Sequence, residues 1–316
     1  MMPGSLPAVA PMRDDGILPV AERIVSLARE ASFEIAARDA AAIETAGARV
    51  APGGRVSITW LPRDTDDDRV SAARALHDRG LEPVPHIAAR MIADEAHLRR
   101  LVGRLCEEGG VSQLLVIGGD AKQPQGPFGS AGDLLASGAF PHAMLRRIAV
   151  GGYPEGHPAV GEGDLVAALD AKIAAIAALD MIPEVITQLC FDSDPIVAWS
   201  RRFRARHPHV PVRIGIAGPA SIRTLLRYAR ICGVGTSAKA LVSRGASIAR
   251  LLAEAAPDPL LRDLAETPDL DALGPIGLHL FPFGGFERTA RWIGAVAEGH
   301  VRLRRSDSGF EVDVAG

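Results

Sequence analysis

The chain has 316 residues, 47% hydrophobic and only 23% charged, which suits one large α/β core. A formal net charge of −3 and a pI near 6.3 supply no basic field, so nucleic acid is not an expected partner. Cys106, Cys190 and Cys232 are an odd set without C-x-x-C spacing, which argues against a disulfide framework or a metal site and for a reduced, cytoplasmic protein.

Residues 1–16 lack both a basic start and a continuous apolar run and are expected to form a disordered tail. No later apolar run is long enough for a bilayer, so no membrane partner is expected. A leading helix is predicted from Ile17 to Arg29. Strand-like segments follow at 32–37, 55–61, 82–89, 113–119, 148–154, 184–191, 212–218 and 277–283. Helical patterns fill the gaps, at 40–47, 67–79, 94–108, 131–146, 164–179, 195–206, 219–231 with a further pair to 266, and 286–297. Asp66, Asp67 and Asp68 read as the cap and first turn of the third of these. Strand-plus-helix units in this number predict a single-domain (β/α)8 TIM barrel over 17–300, a fold of about 250 residues before insertions. No G-x-G-x-x-G follows the first strand, which removes support for a dinucleotide-binding open sheet. Residues 301–316 read as a terminal hairpin or tail around Ser306 to Gly309.

Strand alternation predicts which side chains face into the barrel. Phe33 and Ile35 are assigned outward and Glu34 inward; Val56, Ile58 and Trp60 outward, with Ser57 and Thr59 inward. His86 and Gln188 fall on inner faces by the same rule. The run QLLVIGGD at 113–120 is a buried parallel strand ending in Gly118 and Gly119, where backbone can approach a ligand, and in Asp120 on the rim. Polar residues at the carboxyl ends of barrel strands read as an active site.

At these positions the chain resembles the methylenetetrahydrofolate reductase family, flavoenzymes built on a (β/α)8 barrel. The resemblance rests on SFE at 32–34, SIT at 57–59, PH at 85–86, GD at 119–120, GGYPEGHP at 151–158 and ITQLCFD at 186–192, in that order along successive strands. It implies FAD as cofactor, NADH or NADPH as electron donor, and tetrahydrofolate derivatives as ligands in one-carbon metabolism. Glu34 would be the general acid, Asp120 the carboxylate between flavin and pterin, and Gln188 a folate contact. Thr59, His86, Gly118, Gly119, Asp120, Tyr153, His157 and Asp164 would hold FAD, and Arg288 would reach the folate glutamate tail. Ile222 stands where many members carry an aromatic ring that stacks on nicotinamide or the folate aminobenzoyl group.

The implied chemistry protonates N10 of 5,10-methylene-tetrahydrofolate and delivers hydride to the resulting iminium. An inward Glu34 in a mostly apolar mouth is expected to have its pKa raised by desolvation. Three alternatives follow from the same residues. The site could run as a 5-methyl-tetrahydrofolate oxidase, the chain could be a flavin-free folate-binding barrel of the methyltransferase kind, or it could be a silent partner subunit. Apolar, alanine-rich helices point to a homo-oligomer.

Overall fold

The computed structural model describes residues 18–140, 143–234, 254–305 and 309–313. Helix α1 (Val20–Arg29) leads into β1 (Ser32–Ala36), followed by α2 (Ala40–Arg49), β2 (Arg55–Thr59), α3 (Asp66–His77) and β3 (Glu82–Ala88). The chain continues through α4 (Glu95–Glu107), β4 (Gln113–Ile117), α5 (Ala131–Ala136), β5 (Arg147–Gly152), α6 (Glu162–Ala178), β6 (Ile182–Thr187), α7 (Ser193–Arg204) and β7 (Val212–Ala217). Helices α8 (Ile222–Ile231) and α9 (Asp258–Glu266) precede β8 (Ile276–Phe281) and α10 (Phe286–Ala297). The strands close into one barrel in the order β1-β8-β7-β6-β5-β4-β3-β2. Closure is parallel and pairs Ser32 with His279 and Phe33 with Leu280. The expected (β/α)8 barrel is the fold observed.

Alternation sorts the strand residues as expected. Phe33, Ile35, Val56, Ile58, Leu114, Val116, Ile148, Val150, Leu278 and Leu280 pack outward into the large core beneath the helices. Val84, Leu115, Ala149 and Ile186 form a separate small cluster, the apolar filling of the barrel. Below that filling lies a charged floor. Glu184, 3% exposed, takes Arg55 Nη1 at 2.9 Å and Arg213 Nε at 3.0 Å, with Arg147 at 4.0 Å. Arg213 also donates to the Glu30 carbonyl at 2.6 Å. Buried charges survive only when paired in this way.

Two local expectations need correction. The helix predicted over 131–146 stops at Ala136, because Ser137 turns its hydroxyl onto the Leu134 carbonyl and Gly138 adopts φ 62°. The cap of α3 is Thr65 instead of the aspartate run: its hydroxyl accepts from Asp68 N at 3.2 Å, and Asp68 accepts from Thr65 N at 2.8 Å. Thr65→Ala is therefore expected to cost about 1 kcal/mol, read as a lower urea midpoint at unchanged slope.

The terminal hairpin pairs Val301–Leu303 with Phe310–Val312. Phe310, 1% exposed, stacks on Trp292 of α10 with centroids 6.1 Å apart. The tail over 1–16, the turn at Ser306 to Ser308 and most of the stretch between α8 and α9 lie outside the described residues. Among the described residues no helix is long and apolar enough to cross a membrane.

Candidate active site at the carboxyl end of the barrel

The site is built on Glu34 of β1, whose side chain is 18% exposed. Two imidazoles from other strands converge on the same carboxylate oxygen. His86 Nε2 lies 3.5 Å from Glu34 Oε2, and His279 Nε2 lies 3.7 Å from it. Both nitrogens are buried without a hydrogen-bond partner, and both residues are buried, His279 completely. Among the described residues no group of His, Cys, Asp and Glu is arranged to hold a metal ion.

The expected direction of the Glu34 pKa is overturned. Burial pushes the carboxyl up, but the His279 imidazole and the charges of His86 and His279 outweigh it and hold Glu34 below the ordinary value of 4.5. Burial pushes His86 below 6.5, and the opposing pull of Glu34 does not cancel this. At neutral pH the site therefore rests as a carboxylate beside a neutral His86. Sequence reasoning placed the eighth strand correctly and passed over His279, although its inward position follows from Leu278 and Leu280 facing outward.

Asp120 is exposed on the rim, where the alternation and glycine pair put it. Gly119 has φ 85°, and a Cβ there would lie 3.0 Å from Ala88 Cβ, so the turn suits only glycine. The loop beyond is held by a residue the sequence did not flag. Arg90, just after β3, donates from its backbone to the Gly118 carbonyl at 3.0 Å, and its guanidinium reaches the carbonyls of Ala121 at 3.0 Å and Gly129 at 2.9 Å. Burial, then the Asp120 charge, raises the Tyr153 pKa. Burial followed by the charges of Glu34 and Asp120 pushes the Cys232 thiol up to about 11.

The other predicted residues divide. Thr59 donates to the Ile35 carbonyl at 3.1 Å, joining β2 to β1 beside Glu34. Gln188 follows β6, and its Oε1 accepts from Leu189 N at 2.9 Å. Tyr153 and His157 meet edge to face, with centroids 5.4 Å apart, and line a cavity of about 860 Å³ with Lys172, Trp199 and Phe203. Asp164 is exposed in the first turn of α6 and does not line that cavity. Ile222 opens α8 at half burial. Arg288 is not brought to the mouth group: it lines a different cavity of about 1280 Å³, between α10, α2 and the start of α9.

The 860 Å³ cavity lies within the usual range of about 300–1,000 Å³ for ligand pockets. Lys172 lines it half-buried, its pKa pushed down by burial, with no ion pair or hydrogen bond to its ammonium among the described residues. A half-buried cation with no ion pair among the described residues fits a ligand that brings negative charge, and the phosphates of FAD are such a group. Trp199 stacks on Phe203 at 4.9 Å, giving the same cavity an aromatic wall. The residues present therefore fit a flavin dinucleotide.

The profile of the family described as methylenetetrahydrofolate reductase matches residues 43–248. The chain belongs to the methylenetetrahydrofolate reductase family. The matched span contains His86, Asp120, Tyr153 and Gln188, whereas Glu34, His279 and Arg288 fall outside it. Among solved structures, an uncharacterized protein from Clostridium thermocellum that binds two copies of 5-methyl-5,6,7,8-tetrahydrofolic acid is 14% identical. It has a TM-score of 0.56 over 87% of this chain and 96% of its own. Dihydropteroate synthase from Thermus thermophilus is 13% identical, with a TM-score of 0.42 over 83% and 91% of the two chains. At 14% identity the likeness to the Clostridium thermocellum protein is one of fold.

Proposed function

We propose that this member of the methylenetetrahydrofolate reductase family interconverts 5,10-methylene- and 5-methyl-tetrahydrofolate with FAD as cofactor. The observation that carries the proposal is Glu34, an inward carboxylate at the only level of the described barrel interior where two buried imidazoles converge. FAD when bound supplies hydride exchange at its flavin ring. The chain's own residues handle protons and orientation. Glu34 exchanges a proton with folate N10: as the C–N10 bond breaks, its electron pair takes the proton and leaves a 5-iminium. Asp120 accepts hydrogen bonds from the pterin 2-amino and N3–H edge and favours positive charge there. Gln188 presents its NH₂ end to the pterin, since its oxygen is engaged by Leu189.

The folate-binding barrel from Clostridium thermocellum supports a folate as ligand. Tyr153, His157 and Lys172 are proposed to flank the FAD phosphates and ribose, with Thr59, His86, Gly118 and Gly119 toward the flavin and NADH or NADPH as donor. Lys172→Met is expected to raise the FAD dissociation constant by about tenfold or more, the worth of a charge-assisted contact. Flavin fluorescence quenching measures it, and an unchanged constant removes Lys172 from the site.

A second direction has an observation in its favour. Glu34 rests as a carboxylate, which is the form that takes the N10 proton when 5-methyl-tetrahydrofolate is oxidised. An anaerobic visible spectrum of the protein with FAD, before and after NADH or 5-methyl-tetrahydrofolate, decides between the directions. Bleaching by both supports the reductase, and bleaching by the folate alone supports the oxidase. Absence of flavin binding would falsify both and leave a flavin-free folate barrel. The proposal includes a cytoplasmic setting and a homo-oligomer, the latter checked by sedimentation.

A further inference from the structure

Ser32, His279 and Glu34 form a chain of contacts in which one ring nitrogen has no hydrogen-bond partner. His279 is completely buried, and its two ring nitrogens face different partners. Nδ1 lies 2.9 Å from Ser32 Oγ, while Nε2 is orphaned 3.7 Å from Glu34 Oε2. Ser32 is itself 2% exposed, and its hydroxyl is also 3.2 Å from the Leu278 carbonyl. The barrel seam aligns all three, because Ser32 pairs with His279 across β1 and β8.

A hydroxyl has one proton, so Ser32 has two settings. If it donates to Nδ1, the imidazole carries its proton on Nε2, directed at a Glu34 carboxylate. If it donates to the Leu278 carbonyl, it accepts from Nδ1–H. Nε2 then offers a lone pair to a protonated Glu34, or a proton to an ionised one. The first setting suits an ionised Glu34; in the second, moving one proton from Nε2 to Glu34 turns a doubly protonated ring facing a carboxylate into a neutral ring facing a carboxylic acid, with Ser32 accepting from Nδ1–H throughout. The remaining environment does not compete. Gly215 of β7 sits opposite His279, Phe281 meets the ring edge-on at 5.0 Å, and Arg213 lower on β7 is committed to Glu184 and Glu30. His86 faces Glu34 from β3 at 3.5 Å, and Asp120 is exposed beyond β4.

We propose that His279, set by Ser32, is the proton partner of Glu34, storing the proton that Glu34 exchanges with ligand nitrogen at the barrel mouth. In the reductive direction His279 starts with a proton on each ring nitrogen, Nδ1–H held by the Ser32 hydroxyl; the Nε2–H bond breaks as Glu34 gains O–H, and its bond pair stays on Nε2 to leave a neutral imidazole. That O–H then breaks as N10–H forms, while the C–N10 bond pair becomes the bond to hydrogen. Oxidation runs the same transfers backwards. His279 acts through Glu34 and is a positioning and proton-storing residue, and the use of the proton rests on the folate function proposed above. A buried store is useful because folate covering the mouth separates Glu34 from bulk water.

The test has two independent parts. Ring ¹⁵N signals of His279 are followed through pH in the wild-type protein, in Glu34→Gln and in Ser32→Ala. Coupling predicts that Glu34→Gln moves the His279 titration by about one pH unit or more, and that Ser32→Ala changes the balance of tautomers. In the second part His279→Gln is expected to slow the folate half-reaction roughly tenfold to hundredfold and to remove one limb of its pH profile. Flavin bleaching by NADH should stay within about twofold of wild type, which also shows that the variant is folded. An unmoved His279 titration in Glu34→Gln overturns the proposal, as does a wild-type folate pH profile in His279→Gln. If the wild-type protein turns over neither folate, the folate function fails while the imidazole titration still decides the proton partnership.

Discussion

Glu34→Gln is expected to slow the folate half-reaction by roughly a hundredfold to ten-thousandfold, the range for loss of a positioned acid or base. Glutamine keeps the shape of the side chain and cannot gain or lose the proton. Flavin reduction by NADH moves no proton through Glu34 and should be preserved, so stopped-flow traces of the two half-reactions separate loss of chemistry from loss of fold. Equal slowing of both halves would mean that Glu34 is a structural carboxylate held by its histidines.

The same carboxylate makes a prediction about acid. Its folded pKa lies below the ordinary 4.5, so the unfolded chain binds the proton more readily and the contribution to stability is present above that value. It is lost as pH falls from about 4.5 through the folded value. His86, lowered from 6.5, works with the same sign: the folded state resists its protonation, so stability declines as pH falls below about 6.5. Urea midpoints should therefore fall in two stages on acidification, and the lower stage should weaken in Glu34→Gln.

Glu184→Ala is expected to destabilise the barrel by about 3–5 kcal/mol, the cost of breaking a buried ion pair from one side. Arg55 and Arg213 would lose their shared acceptor in the barrel floor, where burial already works against the Arg213 charge. The cost comes from cations left unpaired, so replacing Glu184 and Arg213 together by methionine should recover much of it. Denaturant titration of both variants provides the check. A loss under about 1 kcal/mol for Glu184→Ala would show that water or Glu30 already compensates the arginines.

Much of the fold is local in origin, which is why it was legible. Phe33-Glu34-Ile35 shows its faces by alternation alone, since successive strand side chains point to opposite sides wherever the strand lies. The same rule turned His86 toward Glu34, and Gly118-Gly119-Asp120 marked the end of β4 by backbone chemistry. Helix ends were less legible: α5 stops short because Ser137 and Gly138 offer the backbone a turn that competes with continued apolar periodicity.

What the tertiary structure decided is who faces whom. Ser32 and His279 are 247 residues apart and become neighbours only when β8 closes on β1. Glu34 illustrates the consequence. The sequence by itself determined that it points into the barrel, and from an apolar mouth its pKa was expected to rise. Two imidazoles from strands distant in the chain reverse that direction, because an electric field depends on distances through space that no spacing along the chain encodes. Arg288 shows the same limit: its place in α10 was legible, but the packing of α10 against α2 turned it to a different cavity from the one holding Lys172.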